Sequence, residues 1–206
     1  MKLTRPLHAL RDVEDLIFQW RLGCDFSGII PREGLGFSDE KALSRATFYQ
    51  PIWCRTLREF VRETLGKGMS FDHFVDLGSG KGKACLYMAK QRAFKKITGV
   101  ELSDSLLAIA HANSRRAQHP EVAFLKQDAS EFRLPDGNTL VFLFNPFGQE
   151  SLDRFAEINT KHFERFDSVI AYANDKHRAT LTNRGFKIIF RNPRRNSSLF
   201  SIRRIS

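Results

Sequence analysis

Three glycines at alternate positions follow a short apolar run that contains an acid: Phe74-Val75-Asp76-Leu77-Gly78-Ser79-Gly80-Lys81-Gly82-Lys83. A strand that runs into positions without side chains and then into a helix lets a ligand approach the backbone, and the helix start offers free N–H groups. In open α/β sheets the crevice at the carboxyl ends of the strands is where ligands bind. Three ligand classes compete for such a turn. A phosphate-binding loop needs a glycine, four residues, then Gly-Lys-Ser/Thr. Counting back from Gly82-Lys83 puts Leu77 at the first glycine and Ala84 at the hydroxyl position, so that spacing fails twice. A dinucleotide fingerprint, G-x-G-x-x-G, requires glycine where Lys83 stands. What remains is Asp-x-Gly-x-Gly-x-Gly.

Further along the chain, Ile97-Thr98-Gly99-Val100-Glu101 reads as a strand ending in an acid, 19 residues after Gly82. A carboxylate at the tip of the neighbouring strand can accept hydrogen bonds from both hydroxyls of a ribose. Glu101 alone does not separate a dinucleotide from another adenosine-containing ligand; the glycine spacing does. A third element is Ala123-Phe124-Leu125-Lys126-Gln127-Asp128-Ala129, and a fourth is Leu140-Val141-Phe142-Leu143-Phe144-Asn145-Pro146-Phe147-Gly148. Read alone, Asp128 is equally a loop acid without a role, and Asn145-Pro146 equally a turn that ends a strand.

Together and in this order, the four elements resemble the motifs of class I S-adenosylmethionine-dependent methyltransferases, over the 75 residues from Phe74 to Gly148. The resemblance is closest to small bacterial members with an Asn-Pro-Phe fourth motif and a later Tyr-x-Asn turn, here Tyr172-Ala173-Asn174. It implies S-adenosyl-L-methionine as cofactor, with Gly78, Ser79, Gly80 and Gly82 admitting its aminocarboxypropyl chain and Asp76 orienting its amine. Glu101 would hold the ribose, and Asp128 and Ala129 would read the adenine. Asn145 and Phe147 match the fourth motif of amino-group methyltransferases, where they would face the acceptor, although the second proline of that motif is missing. The implied reaction is methyl transfer to an acceptor that the sequence does not identify, an amine nitrogen of a protein or nucleic acid. Two other functions compete: an NAD-dependent oxidoreductase, against which Lys83 speaks, and a non-catalytic nucleic-acid-binding module that keeps the fold.

The elements that must position these residues fall into two regions. Residues 1–70 read as a helical N-terminal extension or lid, and residues 71–206 as the cofactor-binding domain. In the first region Leu7, Leu10, Val13, Leu16, Ile17 and Trp20 form one apolar stripe at helical spacing, and Gly23 is a natural stop. Asp25 to Leu43 reads as a loop. A second helix begins near Pro51 and buries Trp53, Leu57, Phe60, Val61 and Leu65. In the second region strand-like runs at Phe74–Leu77, Ile97–Leu102, Val122–Lys126, Leu140–Phe144, Ser168–Ala173, Phe186–Arg191 and Leu199–Arg203 alternate with helical patterns at Lys81–Arg92 and Ser103–Arg116. Ser103 is a plausible N-cap. This predicts an α/β, doubly wound, mostly parallel seven-stranded sheet. The short link from Asn192 to Ser198 cannot be a parallel crossover, so the last two strands form an antiparallel hairpin. The resemblance adds the strand order 3-2-1-4-5-7-6, with strand 7 antiparallel. Tyr49 could fold over the cofactor as part of a lid, or be an ordinary core or surface aromatic.

Composition bounds the rest. The 206 residues suit one domain or a domain with a subdomain, and 42% hydrophobic with 27% charged residues is a globular balance that excludes global disorder. The apolar runs are too short for a transmembrane helix. Glu14 and Asp15 interrupt any signal-peptide core, and cytoplasmic localisation is expected. Cys24, Cys54 and Cys85 form no CxxC pair and read as packed thiols; the six histidines show no ligand spacing, so no metal site is expected. The net charge of +10 is uneven: Arg184, Lys187, Arg191, Arg194, Arg195, Arg203 and Arg204 occur with no acid from residue 184 onward. That run is either a solvated face or a surface for an anionic partner, nucleic acid or acidic protein. Oligomeric state is not readable.

Overall fold

The computed structural model describes residues 6–35, 48–144 and 148–203. Its centre is a seven-stranded sheet of β1 (His73–Leu77), β2 (Lys96–Glu101), β3 (Ala123–Lys126), β4 (Thr139–Phe144), β5 (Val169–Ala173), β6 (Lys187–Asn192) and β7 (Ser197–Ser201). The spatial order is β3-β2-β1-β4-β5-β7-β6. Every pairing from β3 across to β5 is parallel, with Phe74 of β1 lying between Ile97 of β2 and Leu140 of β4. β7 pairs antiparallel with both β5 and β6, as the short hairpin link requires.

Helices cover both faces. α1 (Pro6–Leu22), α2 (Cys54–Glu63), α3 (Lys83–Ala89) and α4 (Asp104–Arg116) precede β4; α5 (Gln149–Ile158), α6 (Thr160–Arg165) and α7 (Arg178–Asn183) follow it. Alternate residues along a strand point to opposite faces. On one face Phe74, Leu140, Phe142 and Ala171 pack with Leu57 and Phe60 of α2, Leu86 of α3 and Ala110 of α4. On the other, Val75, Leu77, Val141, Leu143 and Ile170 pack with Phe155 of α5, Phe163 of α6 and Leu181 of α7. Burial on both faces is why the central strands read as continuous apolar runs rather than alternating ones.

Local chemistry sets the boundaries. Ser103 caps α4, its hydroxyl accepting from the Leu106 N–H. Gly23, at φ +60°, follows α1. α3 begins at Lys83 rather than Lys81, because Gly80 and Gly82 hold positive φ values that a helix cannot include. α2 starts at Cys54, three residues after Pro51. β7 spans Ser197–Ser201 instead of Leu199–Arg203. Ser197 and Ser198 do not read as core strand residues, yet both are buried, because their hydroxyls donate to the buried carboxylates of Glu59 and Asp175.

The apolar stripe of α1 is the clearest departure from expectation. Val13, Leu16, Ile17 and Trp20 are exposed, Trp20 by 80%. The helix instead turns Phe18 and Leu22 onto the core, Phe18 stacking on Phe26 at 5.9 Å. Its Asp15 reaches inward, accepting from the Cys54 N–H at 3.0 Å and pairing with Lys83. The Asp15 anchor and the Phe18–Phe26 contact outrank the wider apolar face in setting the rotation of the helix. No described helix is long and apolar enough to cross a membrane.

Candidate functional site

β1 ends in the glycine turn. Gly78, Gly80 and Gly82 all hold left-handed backbone, at φ +76°, +54° and +82°. Space is required as well. A Cβ on Gly80 would lie 2.6 Å from Cε2 of Tyr49, and one on Gly82 would lie 2.7 Å from Cζ of Phe124. Two of the three glycines are therefore demanded by the protein's own aromatic rings. The N–H groups of the turn are also committed: Gly78 and Ser79 donate to the Val100 carbonyl, Gly82 to the Ser79 carbonyl, and Gly80 to Oε2 of Glu101. The expected backbone donors for a ligand are thus taken at these four positions, so the turn is not an anion cradle.

Glu101 ends β2 and is buried. Besides the Gly80 N–H at 2.9 Å, it accepts from the Leu102 and Ser103 N–H groups at 2.8 and 2.9 Å through Oε1. Burial raises its pKa, and the three backbone donors pull the other way. Asp76 is 3% exposed, and the contact on its carboxylate is the Cys85 thiol at 3.7 Å. Desolvation dominates there; the thiol opposes it weakly, the nearby Glu101 charge adds to it, and the carboxyl is pushed up to about 8. The buried Ser79 hydroxyl has no hydrogen-bond partner among the described residues. Asp128 follows β3 and starts a single 3-10 turn, its Oδ1 accepting from the Ser130 N–H and hydroxyl at 2.9 and 2.7 Å. Ala129 beside it is buried.

These residues line one open cleft of about 950 Å³ at the carboxyl edge of the sheet. Asp76, Gly78, Ser79 and Gly80 contribute from β1 and its turn, Glu101 from β2, Asp128 and Ala129 from the end of β3, and Phe142 and Phe144 from β4. Gly82 is not among the lining residues; it serves the packing of Phe124. Asn145, Pro146 and Phe147 lie outside the described residues.

The fourth wall comes from the N-terminal region, and sequence reasoning largely missed it. Phe48 to Ile52 line the cleft. Tyr49 pairs with Ile30 in an isolated antiparallel bridge, and its hydroxyl donates to the Phe26 carbonyl at 2.8 Å. The strap so formed is pinned to the glycine turn. Lys81, buried, donates to Oδ2 of Asp25 and to the Ser27 carbonyl, each at 2.8 Å. Asn113 of α4, fully buried, accepts from the Asp25 N–H and donates to the carbonyls of Asp25 and Lys81. Of the two readings of Tyr49, the ring is a buried wall of this cleft, and burial pushes its hydroxyl pKa up. Lys81 and Lys83 inside an otherwise small-residue turn were the available signal; each finds an N-terminal aspartate.

Residues 74–160 match a family model described as "Methyltransferase domain". No curated protein sequence matches the chain. Among solved structures the chain is similar to ribosomal protein L11 methylase from Lactobacillus delbrueckii subsp. bulgaricus, at 13% identity over 74% of this chain and 87% of that one, with TM-score 0.52. It is also similar to TrmN from Thermus thermophilus (14% identity, 70% of this chain, 47% of that one, TM-score 0.51). A third is magnesium protoporphyrin IX methyltransferase from Synechocystis PCC 6803 with bound SAM (16% identity, 71% and 76%, TM-score 0.50). At these identities the likeness is one of fold. The chain therefore has the Rossmann-like methyltransferase fold, and a methyltransferase-domain match spans its first four strands.

Proposed function

We propose that this chain is an S-adenosylmethionine-dependent methyltransferase that moves a methyl group to an amine nitrogen of a protein or nucleic acid. The observation that carries the reading is Asp76: a carboxyl buried at the mouth of β1, facing the cleft, with a thiol at 3.7 Å as its contact. A buried acid without a cation is costly, and it stays protonated until one arrives. A ligand that brings an ammonium group into the cleft supplies that cation. A dinucleotide brings a pyrophosphate instead. It would meet two buried acids, and it would find the N–H groups of Gly78, Ser79, Gly80 and Gly82 already taken.

The residues fit the cofactor in other ways. Ser79 and Gly80 line the cleft, where an unbranched chain would pass beside the Tyr49 ring that packs on Gly80. Glu101 is held rigidly by three N–H groups, two on Oε1 and one on Oε2, and Oε2 retains an acceptor site for a ribose hydroxyl. Asp128 and the Ala129 N–H would read the adenine edge. Asn145 and Phe147 would hold the acceptor amine and pack on its substituent. When bound, the cofactor supplies a methyl already activated by its sulfonium. The protein's part is to align reactants and exclude water, and proximity of this kind is worth about 7–11 kcal/mol. A neutral amine needs no strong base, so the absence of a triad-like His or Cys pattern is no obstacle. The Tyr49 strap would act as the lid that keeps water out.

Calorimetry with S-adenosylmethionine and with NAD(H) tests the reading: heat with the first and none with the second is expected, and the reverse overturns it. Labelled-methyl transfer into fractionated cell extract, followed by protease and by nuclease digestion, then identifies the acceptor class.

A further inference from the structure

The basic residues from Arg184 to Arg203 do not stay together in the fold, and Arg204 lies outside the described residues. β6 runs antiparallel to β7, and β7 antiparallel to β5, so β6 points the same way as the parallel strands. Its start, Lys187, therefore lies at the amino edge of the sheet, and so does Arg203 beyond the end of β7. Arg203 is bound there to Asp167 and the Arg165 carbonyl, and Arg184 to Asp153. Arg191, Arg194 and Arg195 go to the opposite, carboxyl edge on the β6–β7 hairpin. A different segment joins them: Lys176 and Arg178, which follow β5. Neighbouring strands are about 4.8 Å apart, so from Phe144 at the end of β4 this rim begins about 5 Å away at β5 and extends to about 15 Å at β6.

The rim is built. The Asp175 N–H donates to the Asn196 carbonyl at 2.8 Å and the Ser198 hydroxyl to Oδ2 of Asp175 at 2.5 Å, which ties the β5–α7 turn to the hairpin. Glu59 of α2 accepts from Asn192 and Ser197 on the same hairpin. The two acids are buried beneath the rim, and they root the guanidinium groups: Arg191 and Arg178 at 3.5 and 3.9 Å from Asp175, Arg195 at 3.2 Å from Glu59. Each guanidinium carries five donors and spends few on these contacts. Lys176 and Arg194 are exposed with no carboxylate partner among the described residues. Phe48, 55% exposed, lines the cleft, and Trp53, half-buried, follows the cleft-lining Ile52 with the Arg55 guanidinium 5.6 Å from its ring.

We infer that the rim of the β5–α7 turn and the β6–β7 hairpin binds the phosphate backbone of a single-stranded nucleic acid and lays it across the mouth of the cleft. This inference rests on the methyl-transfer reading for its purpose, and it names the acceptor class. Spread-out cations on the edge that holds the cleft, with the exposed Phe48 ring at the cleft itself, suit a chain of phosphates with unstacked bases, which bind by charge plus stacking. An acidic peptide would use the cations and leave that ring without a role.

The test is fluorescence anisotropy of a labelled U20 RNA and a dT20 DNA on the full chain across a salt series, with labelled polyglutamate as the acidic-polymer probe. Lys176→Glu/Arg194→Glu is compared with Lys96→Glu/Lys187→Glu, which makes the same charge change at the amino ends of β2 and β6. The rim variant is expected to lose tenfold or more in oligonucleotide affinity and about 1.4 or more from the slope of log K against log salt, with the edge control within twofold of wild type. Equal losses in both variants, no loss in the rim variant, or binding of polyglutamate without either oligonucleotide overturns the proposal. If charge reversal lowers the thermal midpoint, Lys176→Gln/Arg194→Gln gives the same comparison. Calorimetry with S-adenosylmethionine on the same samples keeps the two readings apart: no heat from wild type refutes methyl transfer and leaves the oligonucleotide result to decide the rim.

Discussion

Asp76 is the residue whose chemistry can be read most directly in solution. Burial holds its carboxyl up to about 8, so at pH 7 it is mostly protonated in the free chain. Pairing with an ammonium group requires it to ionise. Binding of S-adenosylmethionine at pH 7 should therefore release up to one proton from Asp76, seen as a calorimetric heat that depends on the ionisation enthalpy of the buffer. Asp76→Asn should abolish that dependence and weaken binding; buffer-independent heat with the native chain would remove Asp76 from the ammonium role. The sign for stability follows from the same shift. The folded value lies above the ordinary 3.8, so the folded chain holds the extra proton between about pH 4 and 8, and the free chain loses stability as pH rises through that window. Glu101 differs because three N–H groups already stabilise its charge. Glu101→Ala should cost cofactor affinity and, by orphaning those buried donors, some stability too; unchanged affinity in calorimetry would contradict the ribose role. Asp76 and Glu101 were legible from their positions at the ends of apolar runs, whereas the absence of a strong donor on one and the presence of three on the other were not.

At the scale of elements, the strap segments 24–35 and 48–52 are held by side chains far away in sequence. Asn113 bonds three backbone groups of Asp25 and Lys81, and its removal leaves the Lys81 carbonyl buried and the two Asp25 groups part-buried without that partner. Each such group costs about 1–3 kcal/mol, so Asn113→Ala should destabilise the chain by about 2–4 kcal/mol. Thermal unfolding should show a midpoint several degrees lower, and calorimetry a weaker cofactor affinity as the Tyr49 wall loosens; a midpoint within a degree of wild type would show that the strap is anchored elsewhere. Nothing in the local sequence announces this asparagine, which sits mid-helix where hydrophobic periodicity is the only signal. The same blindness explains α1, where Val13, Leu16, Ile17 and Trp20 face outward while the side chains of Leu7 and Leu10 lie outside the described residues, because the rotation of the helix is set by Asp15 meeting Lys83 and Phe18 meeting Phe26.

At the scale of the molecule, the N-terminal residues share one core with the sheet. Cys24, Phe26, Ile52, Leu57 and Phe60 are each at most 6% exposed and belong to the cluster that holds Phe74 and Phe142, with Phe60 and Phe142 rings 6.0 Å apart. Burying a large apolar side chain contributes about 1.5–3 kcal/mol. The five together approach about 10 kcal/mol, comparable to the whole stability of an ordinary domain. Residues 71–206 expressed alone should therefore bind a hydrophobic dye and lack a cooperative thermal transition, and a sharp transition in that fragment would make residues 1–70 a dispensable lid. The sequence by itself determined the strands, the helices between them, the antiparallel hairpin and the acids near the ends of β1 and β2, because burial on both faces, glycine spacing and a short link are local properties. Tertiary structure alone decided which face of α1 turns inward, which glycines serve the protein's own rings, and how the C-terminal basic run divides between two edges of the sheet. Those outcomes depend on pairings across tens of residues, and a hydrophobic or charge pattern records what a residue prefers, not which partner reaches it first.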